Sequence, residues 1–232
     1  GCSVGFSPKH KDQRLVTMTH DATSALRVES VNGSVYVGQG EPGHVRVEAT
    51  LRGPDLDRLL DTEIVTERRD GGVFVGVDWS GGKRGRNEGC DFVIEIPSAT
   101  LIVVRTSNDE VIVDHIGESV DIATSNDEVE VRGVRGDIRI ATSNDHVIVR
   151  GAAGEVDIKT SNDDVSISLA PEGVGPVRVA TSNDDIELRV GRAFGGVLEA
   201  STSNGRVRVY GDGVESGGHG KRTRATLRFD LA

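Results

Sequence analysis

A short polar motif recurs along this chain at nearly constant intervals. The tetrapeptide Thr-Ser-Asn-Asp begins at residues 106, 124, 142, 160 and 181, and a variant that ends in Gly205 begins at Thr202. The intervals are 18, 18, 18, 21 and 21 residues. Because a period of about 20 residues is typical of solenoids built from equivalent stacked units, this repeat constrains the fold more than any other feature.

Apolar and polar residues alternate between the motif copies. Val120 and Ile122 share one parity, and after the next corner the apolar parity changes to Val129 and Val131. Alternation with a period of two predicts strands that bury one face, and each change of parity predicts a corner. The apolar parity changes once more at Val134, which favours a coil with three sides.

Alignment of the copies puts aliphatic residues into columns that should face inward. The columns begin with Val111, Val129 and Val147, with Val113, Val131 and Val149, with Val120, Ile138 and Val156, and with Ile122, Ile140 and Ile158. The 21-residue copies keep these columns if their extra residues lie in the loops 171–176 and 192–196. The sequence therefore predicts an all-β, right-handed parallel β-solenoid of about 18–21 residues per coil, in which Val129 lies beside both Val111 and Val147.

The domain organisation follows from the extent of the repeats. Residues 1–22 are interpreted as an N-terminal tether and residues 23–232 as a single solenoid. Within the solenoid, we expect irregular early coils over 23–105, regular repeats over 106–210 and a C-terminal cap over 211–232.

Smaller signals refine the two ends of the predicted solenoid. Ser30-Val31-Asn32-Gly33 resembles a degenerate corner, and residues 55–61 suit a brief helical turn. We expect a loop over residues 211–221, followed by a capping strand over 224–231.

The charge of the chain excludes some classes of partner. Asp and Glu number 37 against 27 Lys and Arg, which gives a net charge of −10. Such a surface repels phosphate backbones and anionic leaflets, so nucleic acid is not an expected partner. Aromatic residues are 3% of the chain, which weakens the case for a lectin, and Trp79, Tyr36 and Tyr210 are the aromatic residues expected at the surface.

The two cysteines bear on location. Gly1-Cys2-Ser3 is similar to part of a bacterial lipobox, and it predicts lipidation of Cys2, an extracytoplasmic location and contact with a membrane only through that lipid. An ordinary Cys2 is the alternative, and a Cys2–Cys90 disulfide is possible only without the lipid. A plain buried Cys90 is favoured, since the two positions have no metal-ligand spacing.

The alternating strand Phe92–Pro97, the strand Leu101–Arg105 and the Thr-Ser-Asn-Asp corners together resemble a bacterial family of β-strand repeats, of unknown function, known as adhesins. The resemblance covers residues 91–210 and is loose before them. It implies a β-helix-like solenoid, exported or membrane-anchored, with no catalytic residues to carry over. This chain has Asn-Asp where that family often has Asn-Gly.

The corner residues offer the main candidate site. The Asn and Thr columns suit internal hydrogen-bonded ladders. Five carboxylates should run beside them, at Asp109, Asp127, Asp145, Asp163 and Asp184. Their repulsion can be relieved by splaying into solvent, by capping the turns or by binding Ca²⁺. Capping of the turns or splaying into solvent is favoured, so we expect no cofactor and no metal. Binding of Ca²⁺ by these aspartates is the alternative.

Catalytic patterns are weak in this sequence. The six histidines lie at scattered positions without nucleophile or metal-ligand spacing, and no catalytic residue is predicted. We expect a non-enzymatic, adhesin-like binding or scaffold module of the cell envelope, whose ligand is an envelope protein or glycan. The alternative is a carbohydrate-active β-helix enzyme, which would need clustered acids with Arg or Lys in a groove.

Overall fold

The protein is described by a computed structural model over residues 10–19, 25–144, 146–191, 194–211, 214–220 and 223–228. Almost all of its regular structure is β-strand, with one short helix and one 3₁₀ turn at Ser80–Gly82. The elements in chain order are β1 His10–Thr19, β2 Leu26–Glu29, β3 Val35–Gln39, β4 His44–Gly53, α1 Leu56–Leu60, β5 Glu63–Arg69, β6 Gly72–Asp78, β7 Gly89–Ile96, β8 Leu101–Arg105, β9 Val111–Asp114, β10 Ser119–Ala123, β11 Val129–Arg132, β12 Ile138–Ala141, β13 Val147–Ala152, β14 Val156–Lys159, β15 Val165–Leu169, β16 Val177–Asn183, β17 Ile186–Arg189, β18 Val197–Gly211, β19 Val214–Gly220 and β20 Thr223–Arg228.

The strands form two sheets, here named sheet A and sheet B. Sheet A runs β1-β4-β7-β3-β9-β11-β13-β15-β17-β18-β19, and sheet B runs β5-β6-β2-β8-β10-β12-β14-β16-β18-β20. Each regular coil contributes a strand to sheet B, passes a Thr-Ser-Asn-Asp corner and contributes a strand to sheet A. The protein is therefore a parallel β-solenoid, as the sequence predicts.

The predicted register is confirmed residue by residue. Val129 pairs with Val111 on one side and with Val147 on the other. Ile140 likewise lies between Ile122 and Ile158. The side chains of the four inward columns are buried, with relative exposures of 3% or less over their described members. A shift of one residue in the register would turn all of these aliphatic side chains into solvent, so burial of one face specifies the register.

The three-sided coil favoured by the sequence is wrong. Each regular coil has two strands, and the segment that was expected to form the third side is a turn. Gly133 takes φ +62°, and Val134 points into the core from that turn with no exposed surface. Backbone bonds still join neighbouring turns, as from the Gly133 N–H to the Arg150 carbonyl at 2.8 Å, so the turns stack on one another although they form no third sheet.

The longer repeats keep their register through loops, as predicted. Residues 170–176 separate β15 from β16, and residues 190–196 separate β17 from β18. Residues 192 and 193 lie outside the described part. On both sides of each loop the strand partners remain those of the 18-residue coils. A loop at the surface accommodates three extra residues at little cost, whereas a strand would lose its inward parity.

The coils are not stacked in chain order at the N-terminal end. The coil made by β2 and β3 lies between the coil of β6 and β7 and the coil of β8 and β9. The backbone of Asn32 accepts from the Cys90 N–H at 2.7 Å, and a Cβ on Gly33 would lie 1.9 Å from the Cys90 carbonyl oxygen. Glycine at position 33 therefore permits this close stacking.

Both ends of the stack are covered by antiparallel strands. At the start, β1 pairs with β4 in sheet A and β5 pairs with β6 in sheet B. At the other end β18 pairs with β19 and β20. The expected loop over 211–221 is therefore wrong, since β19 is a strand: pairing with the edge of β18 satisfies the backbone of this Gly-rich segment. The antiparallel strands end the parallel stack, which would otherwise present open coil edges.

Helix α1 forms where the sequence suggested a helical turn. Asp55 caps it by accepting from the backbone N–H groups of Asp57 and Arg58. Leu59 is fully buried, and the Arg14 guanidinium on β1 donates to the Leu59 carbonyl at 2.7 Å. Arg14 thus ties the end of the helix to the edge of sheet A. Within the described residues, no helix has the length and apolar character needed to cross a membrane.

Candidate functional site

The asparagine side chains of the corners form one continuous ladder. Each amide Nδ2 donates to the Oδ1 of the asparagine in the preceding coil, at distances between 2.6 and 2.9 Å. The ladder comprises Asn32, Asn108, Asn126, Asn144, Asn162, Asn183 and Asn204. It ends at the coil of β2 and β3, where the Asn32 amide donates to the Glu88 carbonyl oxygen at 3.2 Å. The predicted ladder exists and extends one coil further than the motif.

The corner threonines behave differently from the asparagines. Their side chains face inward and are 3–8% exposed, so the methyl groups continue the aliphatic core. Thr106, Thr160 and Thr181 donate to the carbonyl oxygen of the asparagine two positions later, at 3.4, 3.4 and 2.6 Å. Thr202 instead donates to the Asp184 carbonyl of the preceding coil at 3.1 Å, and the hydroxyl groups of Thr124 and Thr142 have no hydrogen-bond partner, so the expected threonine-to-threonine ladder does not form along the described corners. Like the asparagines, the threonines are structural.

The corner aspartates have a left-handed backbone conformation, with positive φ. Asp109, Asp127, Asp163 and Asp184 have φ between +78° and +111°. Gly33 occupies the same corner position with φ +135°. The Asp127 and Asp163 carboxylates accept from the next backbone N–H at 3.2 and 3.1 Å. At these corners the aspartates cap the turns, which was the favoured interpretation.

The calcium hypothesis gains no geometric support from the described residues. Among them, no group of three or more His, Cys, Asp or Glu side chains is close enough to hold a metal ion. Asp145 lies outside the described residues, so the column is not complete. Two of the described aspartates have ionic partners: His146 Nδ1 lies 3.3 Å from an Asp163 carboxylate oxygen, and an Arg52 guanidinium nitrogen lies 3.7 Å from an Asp109 carboxylate oxygen.

Cys90 on β7 is a free thiol that is fully buried, which is the state that the sequence analysis favoured. Burial raises the pKa of this thiol to about 12, and the neighbouring Asp91 carboxylate adds to the rise. A thiol in this state is neither nucleophile nor metal ligand. Cys2, the predicted lipidation site, lies outside the described residues.

A cleft on the outer face of sheet B is the candidate binding site. It has a volume of about 540 Å³ and lies where the β5–β6 hairpin meets two corners, one at residues 30–31 and the other at residues 106–107. Its apolar lining comes from Val31, Val65, Phe74, Val77 and Trp79. Volumes of about 300–1,000 Å³ lined by aromatic and aliphatic side chains are typical of small-molecule sites.

The local sequence explains why aromatic side chains reach this cleft. Residues 73 and 75 of β6 face the core, so Phe74 faces outward, and its ring lies over Gly76, where a Cβ would come within 2.9 Å of the ring. Trp79 follows the strand directly and packs its partly buried ring against the core. Both rings are therefore fixed by the backbone and by packing.

The polar groups around the cleft carry both signs of charge. Glu29 and Asp78 supply carboxylates, Arg69 and Arg105 supply guanidinium groups, and Ser30 and Ser107 supply hydroxyl groups. Arg69 is held over the Phe74 ring, with its central carbon 4.1 Å from the ring centre. Arg105 is held by Asp121 at 3.0 Å. The rim thus presents fixed hydrogen-bond donors and acceptors beside an aromatic floor.

Sequence reasoning found only part of this cleft. Trp79 was expected at the surface, and its side chain is partly exposed there. Phe74, Val65 and Arg69 were missed, because their place depends on how the β5–β6 hairpin folds over the outer face. The available signal was the strand alternation itself, since the parity of Val73 and Val75 already turns Phe74 outward.

Comparison with solved structures identifies the fold. A putative cell adhesion protein from Clostridium sporogenes has 10% sequence identity and a TM-score of 0.51, over 86% of this chain and 100% of that chain. The two chains share a fold. A putative adhesin from Bacteroides fragilis has 16% identity and a TM-score of 0.40 over 89% of this chain and 100% of its own, and a putative lipid binding protein from Parabacteroides distasonis has 11% and 0.29 over 90% and 96%. No family model and no curated protein matches the sequence.

Proposed function

We propose that this protein is a non-enzymatic binding module of the cell envelope, adhesin-like in type, which acts outside the cytoplasm and is anchored by lipid on Cys2. The observation that carries the proposal is the cleft at Trp79, which lies on a stack of coils that the asparagine ladder and the covered ends stabilise. The Clostridium sporogenes protein of the same fold is named for cell adhesion, which agrees with this type of role.

A glycan unit is the ligand that best fits the Trp79 cleft. The cleft of about 540 Å³ has the size of a small-molecule site, whereas a stable protein partner needs a surface of about 800 Å². Sugar hydroxyls both donate and accept hydrogen bonds, which suits a rim with carboxylates and guanidinium groups together. The apolar face of a sugar ring can stack on the Trp79 indole.

The protein offers a direct test because Trp79 is its only tryptophan. Envelope polysaccharides and their oligosaccharides are titrated while the indole emission is followed, and affinities are measured independently by calorimetry. We expect a saturable change in emission, and Trp79→Ala should weaken binding at least tenfold. Tyr210→Ala, which removes an aromatic residue that is 44% exposed in sheet A, is the matched control and should bind normally.

Two outcomes contradict the proposal. Unchanged calorimetric affinity of Trp79→Ala for a bound glycan would move the binding site away from the cleft. Release of shortened chains or new reducing ends during incubation would favour the carbohydrate-active enzyme instead.

A further inference from the structure

A second, smaller hollow lies beside the Trp79 cleft on the outer face of sheet B. It has a volume of about 140 Å³, and its lining includes Arg27, Asp70, Gly72 and Val103. A cavity of about 150 Å³ holds one benzene molecule, so the small hollow has room for a group about the size of a six-membered ring. The concave part of this face therefore extends beyond the cleft.

Phe74 and Arg69 form the boundary between the cleft and the small hollow, since both residues line each of them. Phe74 is 7% exposed, and the Arg69 guanidinium lies over its ring. Gly72 and Gly76 lie two residues before and two residues after Phe74 on the same face of β6, and neither has a side chain that could fill the space beside the ring. Gly72 lines the small hollow and Gly76 lines the cleft, so the two spaces are halves of one groove with a ridge at Phe74.

The groove follows the direction of the strands. β6 runs from Gly72 at the small hollow to Asp78 at the cleft, and its seven residues span about 20 Å. The order is the same on β8, where Val103 lines the small hollow and Arg105 lines the cleft. Such a length exceeds that of one sugar ring and suits a short chain of linked sugars.

Each guanidinium group that lines the groove is already paired with a carboxylate of this chain. The pairs are Arg27 with Glu29, Arg69 with Glu67, and Arg105 with Asp121. Asp70 and Asp78 also line the groove, and neither forms an ion pair with another described residue. An anionic ligand would meet no unpaired cation among the lining residues, whereas the hydroxyl groups of a neutral sugar can donate to the carboxylates and accept from the guanidinium groups.

We infer that the ligand of this groove is a neutral, linear oligosaccharide that occupies the cleft and the small hollow at once. The inference rests on the proposed glycan function and adds to it the length and the charge of the ligand. One sugar unit lies against Trp79 in the cleft, and a further unit lies over Val103 in the small hollow. Between them the chain crosses the ridge at Phe74, where the Arg69 side chain is 52% exposed and offers hydrogen-bond donors.

Calorimetry on the parent protein tests the length and the charge of the ligand. The probes are linear N-acetylglucosamine oligomers and linear glucose oligomers, from the monosaccharide to the hexasaccharide. In at least one of these neutral series, the affinity should rise at least tenfold from the shortest oligomer with measurable binding to the hexasaccharide, because only the longer chain reaches the small hollow. Galacturonic acid oligomers, which carry a carboxylate on every unit, should bind at least tenfold more weakly than neutral oligomers of the same length.

Val103→Trp should close the small hollow without touching the cleft. Val103 is half-buried, faces outward between the buried Ile102 and Val104, and does not line the cleft. The larger side chain should lower the affinity for the hexasaccharide at least tenfold and leave the affinity for the shortest oligomer unchanged, whereas Trp79→Ala should weaken both. Ile148→Trp puts the same ring at a half-buried outward position of sheet A, and this matched control should bind every oligomer like the parent protein.

The outcomes separate this inference from the proposed function. Equal affinities of the parent protein for short and long oligomers, equal losses at both lengths in Val103→Trp, or galacturonic acid oligomers that bind as tightly as neutral ones would each overturn the inference and leave a glycan site at Trp79 in place. Absence of binding by every neutral oligomer would overturn both. Thermal melting checks that Val103→Trp is folded, and the length dependence of the parent protein decides the question without that variant.

Discussion

The Asn108 amide donates to the Asn32 side-chain oxygen at 2.6 Å, although the two residues are 76 positions apart in the sequence. Every other step of the ladder joins asparagines 18 or 21 positions apart. The coil of β2 and β3 is therefore a true member of the stack, continuous with the repeats, while the chain between them makes a detour through β4 to β7.

The ladder predicts a dependence of stability on position. Asn144→Ala removes two bonds of the ladder, to Asn126 and from Asn162, together with a 3.3 Å bond to the Ser125 carbonyl, and should lower the free energy of unfolding by about 1–2 kcal/mol. Asn204→Ala removes one such bond, to Asn183, and should cost about half as much. Urea unfolding measures both. Equal losses at the two positions would mean that the amides are solvated independently and that the ladder adds nothing.

Adjacent residues of β8 should lose very different amounts of stability on the same truncation to alanine. Ile102 is fully buried, so Ile102→Ala leaves a cavity and should destabilise the protein by about 3 kcal/mol. Leu101 faces outward with 37% exposure, and Leu101→Ala should cost about 1 kcal/mol or less. Thermal and chemical denaturation give the comparison. A larger loss for Leu101→Ala would contradict the assigned inward parity of this strand.

The ion pair of Arg58 and Glu88 predicts a pH dependence. Glu88 is 2% exposed, and the hydrogen bond from Arg58 Nε, 2.7 Å long, lowers the pKa of its carboxyl below the usual 4.5. A lowered pKa in the folded state stabilises the protein above the unfolded-state value, and this contribution disappears as the pH falls through the folded-state value. Glu88→Gln should therefore lower the free energy of unfolding at pH 7.

The sign of this effect is checked by denaturation at several pH values. The difference between the parent protein and Glu88→Gln should shrink as the pH falls from 4.5 towards the lower folded-state pKa of Glu88, because the carboxyl is protonated first in the unfolded chain and only below that pKa in the folded protein. Glu95→Gln, at a half-exposed acid of β7, is the control and should show a much smaller difference. A Glu88→Gln difference that grows on acidification would contradict the lowered pKa.

Cys90 should be unreactive while the protein is folded. Its pKa of about 12 leaves almost no thiolate at pH 8, and its side chain is fully buried. In a Cys2→Ser background, iodoacetamide should label Cys90 only after denaturation, as measured by mass spectrometry. Labelling of the native protein at the rate of the unfolded chain would show that the first coils open readily.

Local patterns were enough to predict the regular coils. The inward columns at Val129 and Ile140 were correct because strand parity is a property of neighbouring residues, and a slip of one position would expose all of them. The number of sides was wrong because Val134 is inward in a turn as well as in a strand, so its parity could not separate the two.

The sequence by itself determined the strands, the corners, the coil register and the asparagine ladder, since each depends on residues that recur at a fixed spacing. Only the tertiary structure decided the order in which the coils stack, and with it the cleft that gathers Val31, Phe74, Trp79 and Arg105 from three segments of the chain. The physical reason is that every coil offers its neighbours nearly the same aliphatic columns and the same corner amide. Such surfaces are interchangeable, so the place of the β2–β3 coil is settled by contacts distant in sequence, among them the close approach of Gly33 to Cys90.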